Sequence, residues 1–322
     1  MWAAGLVLIS LNLTAASTAL AQGSYPSHAI KLIVPWPPGQ ATDLAGRVVA
    51  QELSKELGQS VVVENKAGAG GTIGTDMVAK SAPDGYTILI ANLGPIAINP
   101  TLYPETTADP LKVFSPIMQL VSGPLVLLVH PDFQAKTLGD LIAYAKKNPG
   151  KLTYGSVGPG STTHLAGELL GMQSHIDILQ IPFKGAAPAI TNLMGGQIDM
   201  AFVNISIAKP FIDSGKLRPI AVTTLKRASI LPEVPAIAEL LPGYEVNPWW
   251  GLLAPIHTSP AIVDRIQREL AGVLKNPQIA DRLRQNGLEP EPTTPAEFSQ
   301  RIAADIEKWR EVIRANKIAG GR

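Results

Sequence analysis

A chain of 322 residues with 46% hydrophobic and only 16% charged residues is too long for one ordinary core and too apolar to be disordered, so two lobes are expected. Lys and Arg number 27 against 26 Asp and Glu, a net charge of +1 that offers nothing to a polyanion and argues against nucleic acid as a partner. The absence of cysteine excludes disulfides, thiolate metal sites, a cysteine nucleophile and a lipid-modified cysteine after a leader.

Residues 1–21 carry no charged side chain; an apolar stretch from Leu6 to Leu13 gives way to Ser and Thr and then to Ala19-Leu20-Ala21. This pattern predicts a cleavable signal peptide, although its start lacks the usual Lys or Arg. A membrane anchor needs about 20 largely uninterrupted apolar residues, and Asn12, Thr14, Ser17 and Thr18 interrupt this run. The expected product is exported and freely diffusing, which in a bacterium means the periplasm.

Strands are predicted at Ile30 to Val34, Val61 to Glu64 and Thr87 to Ile90, with helices at Asp43 to Leu57 and Thr72 to Lys80 between them. This βαβαβ start implies a parallel sheet with ligands beyond the carboxyl ends of its strands. A second series opens with Thr137-x-x-Asp140 capping a helix to about Asn148. Strand Leu152 to Tyr154, helix Thr163 to Met172, strand Gln180 to Pro182, helix Ala187 to Met194 and strands Ile198 to Val203 and Pro219 to Thr223 follow. Extended segments Phe114 to Val129 and Gly243 to Ala254 read as two crossings between lobes. The expected division is residues 22–122 with 247–322 for the first lobe and 123–246 for the second, hinged for closure. From Pro295, with Thr294 as cap, Phe298, Ile302, Ile306, Trp309 and Ile313 form one apolar stripe, expected to pack on the first lobe.

Several turns carry chemistry. Pro35 to Asp43 joins a strand to a helix, with Gly39 permitting close approach and Thr42 or Asp43 suited to cap; such a helix start holds anions, unless the turn is merely rigid. Ala67 to Gly74 resembles a dinucleotide fingerprint but lacks G-x-G-x-x-G spacing, so a nucleotide cofactor is not expected. The run Gly155 to His164 follows a strand and opens a helix, and Ser156, Ser161 and Thr162 with nearby amides can nest a carboxylate. Its enzymatic reading, a secreted serine hydrolase using Ser161 or Ser156 with His164, suffers from the absence of G-x-S-x-G and from the spacing of Ser161 and His164 on one turn. Thr42-Asp43-Leu44-Ala45-Gly46 and Thr163-His164-Leu165-Ala166-Gly167 differ at one position, which suggests equivalent helix starts presented to one ligand from two sides. Lys184 and Asn204 fall at further strand ends, and Trp249-Trp250 either walls the cleft or fills a hinge core. The scattered histidines show no metal-binding spacing.

Leu32-Ile33-Val34-Pro35-Trp36-Pro37-Pro38-Gly39, Val61 to Gly71, Pro83-Asp84-Gly85-Tyr86-Thr87, His164 to Glu168, Pro182-Phe183-Lys184-Gly185 and Gly195-Gly196-Gln197-Ile198-Asp199 together resemble the tripartite tricarboxylate transporter receptors, the Bug-type periplasmic binding proteins. The resemblance runs from about Tyr25 almost to the end. It implies a two-lobed type II periplasmic-binding-protein fold, each lobe a mostly parallel α/β sheet, and a non-enzymatic receptor without cofactor or metal. It also implies capture of a small carboxylate, aliphatic or aromatic, for small and large membrane subunits of a secondary transporter, by a protein expected to be monomeric; a sensor presenting its ligand to a signalling protein would share the site. By the same resemblance the site is Trp36, Pro37, Pro38, Gly39, Gln40 and Asp43; Asn92; Ser156, Gly160, Ser161, Thr162 and His164; Lys184 and Gly185; and Asn204. The family usually has a second Gly where this chain has Gln40, and often Asp where it has Asn204, so the preferred solute is expected to differ.

Overall fold

The computed structural model describes residues 25–105, 108–285, 287–315 and 318; the expected signal segment, residues 1–21, lies outside them. β1 (Ile30–Val34) is apolar and branched but for the exposed Lys31, and α1 (Ala41–Leu57) follows it and stops at Gly58, whose φ of 66° admits the left-handed C-cap. β2 (Val61–Asn65), α2 (Thr72–Ala79) and β3 (Thr87–Asn92) complete the expected βαβαβ start. A buried π-helical turn, Gly94–Ile98, then runs into α3 (Asn99–Leu102), and α4 (Pro110–Val113) leads to β4 (Phe114–Ser122).

After Gly123-Pro124 the chain enters a second sheet as β5 (Leu125–Val129). The Thr137/Asp140 capping box forms as expected on α5 (Leu138–Lys147). β6 (Leu152–Ser156), α6 (Thr162–Ser174), β7 (Ile178–Pro182), α7 (Ala186–Met194), β8 (Met200–Asn204), α8 (Ile205–Asp213) and β9 (Arg218–Val222) follow. The chain returns as β10 (Trp249–Pro255) and ends in α9 (Pro260–Lys275), α10 (Pro277–Gln285), the short β11 (Glu289–Pro290) and α11 (Pro295–Ala315).

Among the described residues the first sheet runs β11-β4-β10-β3-β1-β2 and the second β7-β6-β8-β5-β9. Both are mixed rather than mostly parallel. β1 is parallel to β2 and β3, but β10 is antiparallel to β3 and β4; β6 is parallel to β7 and β8, but β5 is antiparallel to β8 and β9. The cause is the double crossing: a strand that leaves a lobe and one that comes back beside it run in opposite directions. At the crossing itself Trp249 sits opposite Ser122, and Gly123 donates its N–H to Pro248 O at 2.9 Å.

The stripe of α11 is buried along its length and packs on β4 and the π-helical turn. Trp249 is fully buried, edge-on to Phe298 at 5.1 Å between ring centres, with Nε1 donating to Asp305 Oδ2 at 2.7 Å. Trp250 is also buried and donates to Thr42 Oγ1 at 2.8 Å. Both tryptophans therefore fill the interior beside the hinge instead of walling the cleft. No helix of the described residues is long and apolar enough to cross a membrane.

Candidate functional site

The first candidate turn joins β1 to α1. Trp36 is fixed by its Nε1 donating to Asn92 Oδ1 at 2.8 Å, which ties the end of β1 to the end of β3. Pro37 is half-buried, Pro38 and Gly39 are exposed, and Gly39 adopts a φ of 81°. The helix starts earlier than its sequence suggests: Gln40, not Thr42 or Asp43, occupies the N-cap, and its side chain makes no capping bond. Asp43 instead folds back. Its Oδ2 accepts from Gly39 N at 2.9 Å and Arg47 Nε at 3.0 Å, and its Oδ1 from Asn65 Nδ2 at 3.0 Å. Burial alone would raise this carboxyl, but the bonds from Arg47, Gly39 and Asn65 together outweigh burial and hold it below its usual range, so it stays ionised. Its charge is thus committed inside the lobe, and the first amides of α1, from Ala41 to Asp43, have no intrahelical acceptor.

The second turn joins β6 to α6 and uses its hydroxyls on itself. Ser161 is the N-cap, accepting from His164 N at 3.2 Å and donating to Gly158 O at 2.6 Å. Thr163 Oγ1 accepts from Val157 N at 2.9 Å, and Ser156 Oγ accepts from Gly158 N at 3.2 Å and Gln180 Nε2 at 2.7 Å. His164 is buried, and its Nδ1 accepts from Gly160 N at 3.3 Å. Burial pushes the imidazole down to about 4, keeping it neutral and therefore able to accept. Its Nε2 lies 3.7 Å from Glu168 Oε1, which in turn accepts from Tyr154 OH at 2.7 Å. Neither Ser156 nor Ser161 hydrogen-bonds to a histidine ring, so no proton relay for a serine nucleophile is assembled. Among the described residues no three His, Asp or Glu side chains converge on a possible metal position.

The two turns are built alike. Asp43 and His164 occupy the one position at which the five-residue matches differ, yet each accepts a bond from the amide of the glycine four residues before it, Gly39 or Gly160. Both glycines are left-handed, at φ 81° and 75°. The glycines that end the matches also share a role, letting the helix press on its sheet: a β-carbon at Gly46 would stand 3.2 Å from Val34 Cγ2, and one at Gly167 would overlap the Tyr154 ring. The short match therefore marks an equivalence of structure.

A cavity of about 570 Å³ opens between the lobes, within the usual size for small-molecule sites. Trp36, Pro37, Lys184 and Gly185 line it, and Lys184 is the one charged side chain among the lining residues. Ala67 to Gly71, Val157 to Pro159, Pro182 and Phe183 also line it. The glycine stretch after β2, read in sequence only as a failed fingerprint, is thus a cleft wall; left-handed Gly68, Gly70 and Gly71 bring its backbone there. Gln40 is buried and reaches across to the second lobe, where a β-carbon on Gly185 would lie 2.6 Å from its Nε2. Asn204 ends β8 and stands at the N-cap of α8, beside Leu125 at the crossing and away from the cavity lining, and its Nδ2 is buried without a protein partner. Asn92 and Asp43 act behind the turns.

The family model described as the tripartite tricarboxylate transporter family receptor matches residues 45–318. The chain belongs to that receptor family. Protein BugT of Bordetella pertussis is 37% identical over 293 residues, 90% of each chain. Among solved structures, R. palustris Rpa4515 with adipate superposes at a TM-score of 0.88 with 35% identity, covering 92% of this chain and 99% of that one. MatC of Rhodopseudomonas palustris with bound malate superposes at 0.84 with 31% identity, covering 90% and 100%. The two-lobed periplasmic-binding-protein fold is shared, and the family is one of substrate-binding receptors rather than enzymes.

Proposed function

We propose that this protein is a periplasmic receptor that closes its lobes on a small carboxylate and delivers it to the small and large membrane subunits of a tripartite transporter. Its lobes are residues 22–122 with 247–322 and residues 123–246, and it works as a monomer. The observation that carries this reading is the pair of equivalent turns. Each commits its side-chain acceptors to groups of its own lobe and leaves helix-start amides, at Ala41 to Asp43 and at Thr162 and Thr163, without intrahelical partners. Amides at helix starts favour an anion, the Asp43 carboxylate is turned away, and Lys184 adds a cation at the rim. The relatives solved with adipate and malate support a dicarboxylate of four to six carbons as the first solute class to try. Trp36 and Phe183 extend that range to aromatic acids.

Thermal melting of the protein lacking its leader, against aliphatic, hydroxy and aromatic carboxylates and their methyl esters, tests the proposal. A true solute at a hundred times its dissociation constant stabilises by about 2.7 kcal/mol, a shift of several degrees. Adipate, malate or an aromatic acid is expected to raise the midpoint and be recovered unchanged, with the fully esterified compound inert. Esters that stabilise as well as the acids, or are hydrolysed, would overturn it.

A further inference from the structure

Beside the ligand cavity the lobes meet backbone to backbone. Gly94, the first residue of the π-helical turn, faces the β6–α6 turn: a β-carbon there would stand 3.1 Å from Gly160 O and 3.7 Å from Ser161 Cα. Gly70 faces the same turn, with a β-carbon 3.0 Å from Pro159 O. Asn99, fully buried at the start of α3, donates through Nδ2 to Gly70 O at 3.1 Å and to Thr72 Oγ1 at 3.2 Å. Its Oδ1 lies directly against Gly160 and has no hydrogen-bond partner.

Gly160 needs its glycine for a left-handed φ, but Gly94 does not: its backbone is in the ordinary helical region. What keeps a side chain off Gly94 is the opposite lobe. The wide turn of a π-helix, a feature often found at functional sites, puts this bare stretch of backbone where the other lobe arrives. Closing over Asn99 Oδ1 strips an acceptor of water and returns no bond, which is unfavourable. The contact therefore seats the lobes without holding them shut.

We propose that Gly70, Gly94 and Asn99 form a closure seat: they set how far the β6–α6 turn descends on the first lobe, and the unpaired Asn99 Oδ1 makes that closure depend on ligand. The ligand-dependent part rests on the receptor reading; the seat itself does not.

The chain has no cysteine, so a pair introduced by Gly94→Cys and Ser161→Cys is free of competing thiols. A β-carbon on Gly94 would stand 3.7 Å from Ser161 Cα, which brings the two α-carbons within reach of a disulfide, whose α-carbons lie about 4.4–6.8 Å apart. With oxidised glutathione, which is reduced as the two thiols are oxidised, an intramolecular cross-link is expected to form whether or not a carboxylate is present, because side chains at both positions themselves crowd the closed form. Folded double variant, judged by circular dichroism, that fails to cross-link with and without ligand overturns the seat. A second variant, Gly94→Ala, suits helical backbone and is expected to leave the ligand-free melt unchanged or higher. It should weaken carboxylate binding roughly tenfold by wedging the closed form. Undiminished affinity in Gly94→Ala also overturns the seat. A cross-link in a protein whose melt no carboxylate shifts leaves the seat standing and removes the receptor reading.

Discussion

Acidification from pH 6.5 to 4 is expected to cost the folded protein about 3 kcal/mol through His164 alone. The imidazole is buried and pushed down to about 4 from 6.5. Over that window the unfolded chain takes up a proton at His164 that the folded chain refuses, so stability falls as pH falls, and the contribution is fully present above 6.5. The group it would have to face if charged is Glu168, at 3.7 Å, itself engaged by Tyr154. Protonation also converts Nδ1 from acceptor to donor, which breaks the bond from Gly160 N and loosens the candidate turn. Urea unfolding at pH 7, 5.5 and 4.5 would compare the wild type with His164→Asn, whose amide oxygen accepts in place of Nδ1 but does not titrate. The variant is expected to lose most of this slope, and ligand affinity in the wild type is expected to decline over the same window. Two parallel stability curves would show that His164 is not the group responsible. Asp43, held below its usual range, adds its loss only at lower pH.

Replacing Gly167 by Ala is expected to destabilise by about 3 kcal/mol, at the upper end of what overpacking a core costs. The new methyl would overlap the Tyr154 ring, which cannot step aside: it is fully buried and its hydroxyl is bonded to Glu168 Oε1. The matched change in the first lobe, Gly46→Ala, meets Val34 Cγ2 at 3.2 Å and Ile90 Cγ2 and Cδ1 at 3.5 and 3.8 Å, methyl groups that can shift. There the gain in helix propensity offsets most of the crowding, and the loss should stay under about 1 kcal/mol. Denaturant midpoints of the two variants check this ordering. Gly167→Ala as stable as Gly46→Ala would mean that Tyr154 has room the geometry denies it.

The alternation of short branched runs and helical periodicity made the βαβαβ start and the second lobe legible, because central strands such as β3 and β8 are buried nearly end to end and helices such as α1 and α7 stop at a glycine. Strand direction was not legible. Nothing in Leu125 to Val129 says that it runs against β8; that follows from where the chain crosses between lobes. The π-helical turn escaped notice because Gly94-Pro95-Ile96-Ala97-Ile98 is buried all round and so has no period to read. The candidate turns were found from glycine, proline and hydroxyl content, and the near-repeat at Thr42 and Thr163 pointed to their equivalence. The acceptor role shared by Asp43 and His164 lay beyond the sequence, since an acid and an imidazole resemble each other only once each is seen to receive a bond from a glycine amide. Ala67 to Gly71 was judged by spacing against a nucleotide motif, whereas its part in the cleft comes from left-handed backbone.

The place of β10 between β3 and β4 has a consequence for how the chain folds. The second sheet is assembled from one uninterrupted stretch, Leu125 to Val222, so that lobe can fold as soon as it has emerged. The first sheet cannot. Until Trp249 to Pro255 arrive, β3 and β4 have no strand between them, and each presents an open edge to any other chain nearby. The earliest residues made thus wait for some of the last. A chain cut short before Trp249 would keep a finished second lobe beside an unpaired β4 and a β3 with one edge open, the form of this protein most exposed to aggregation.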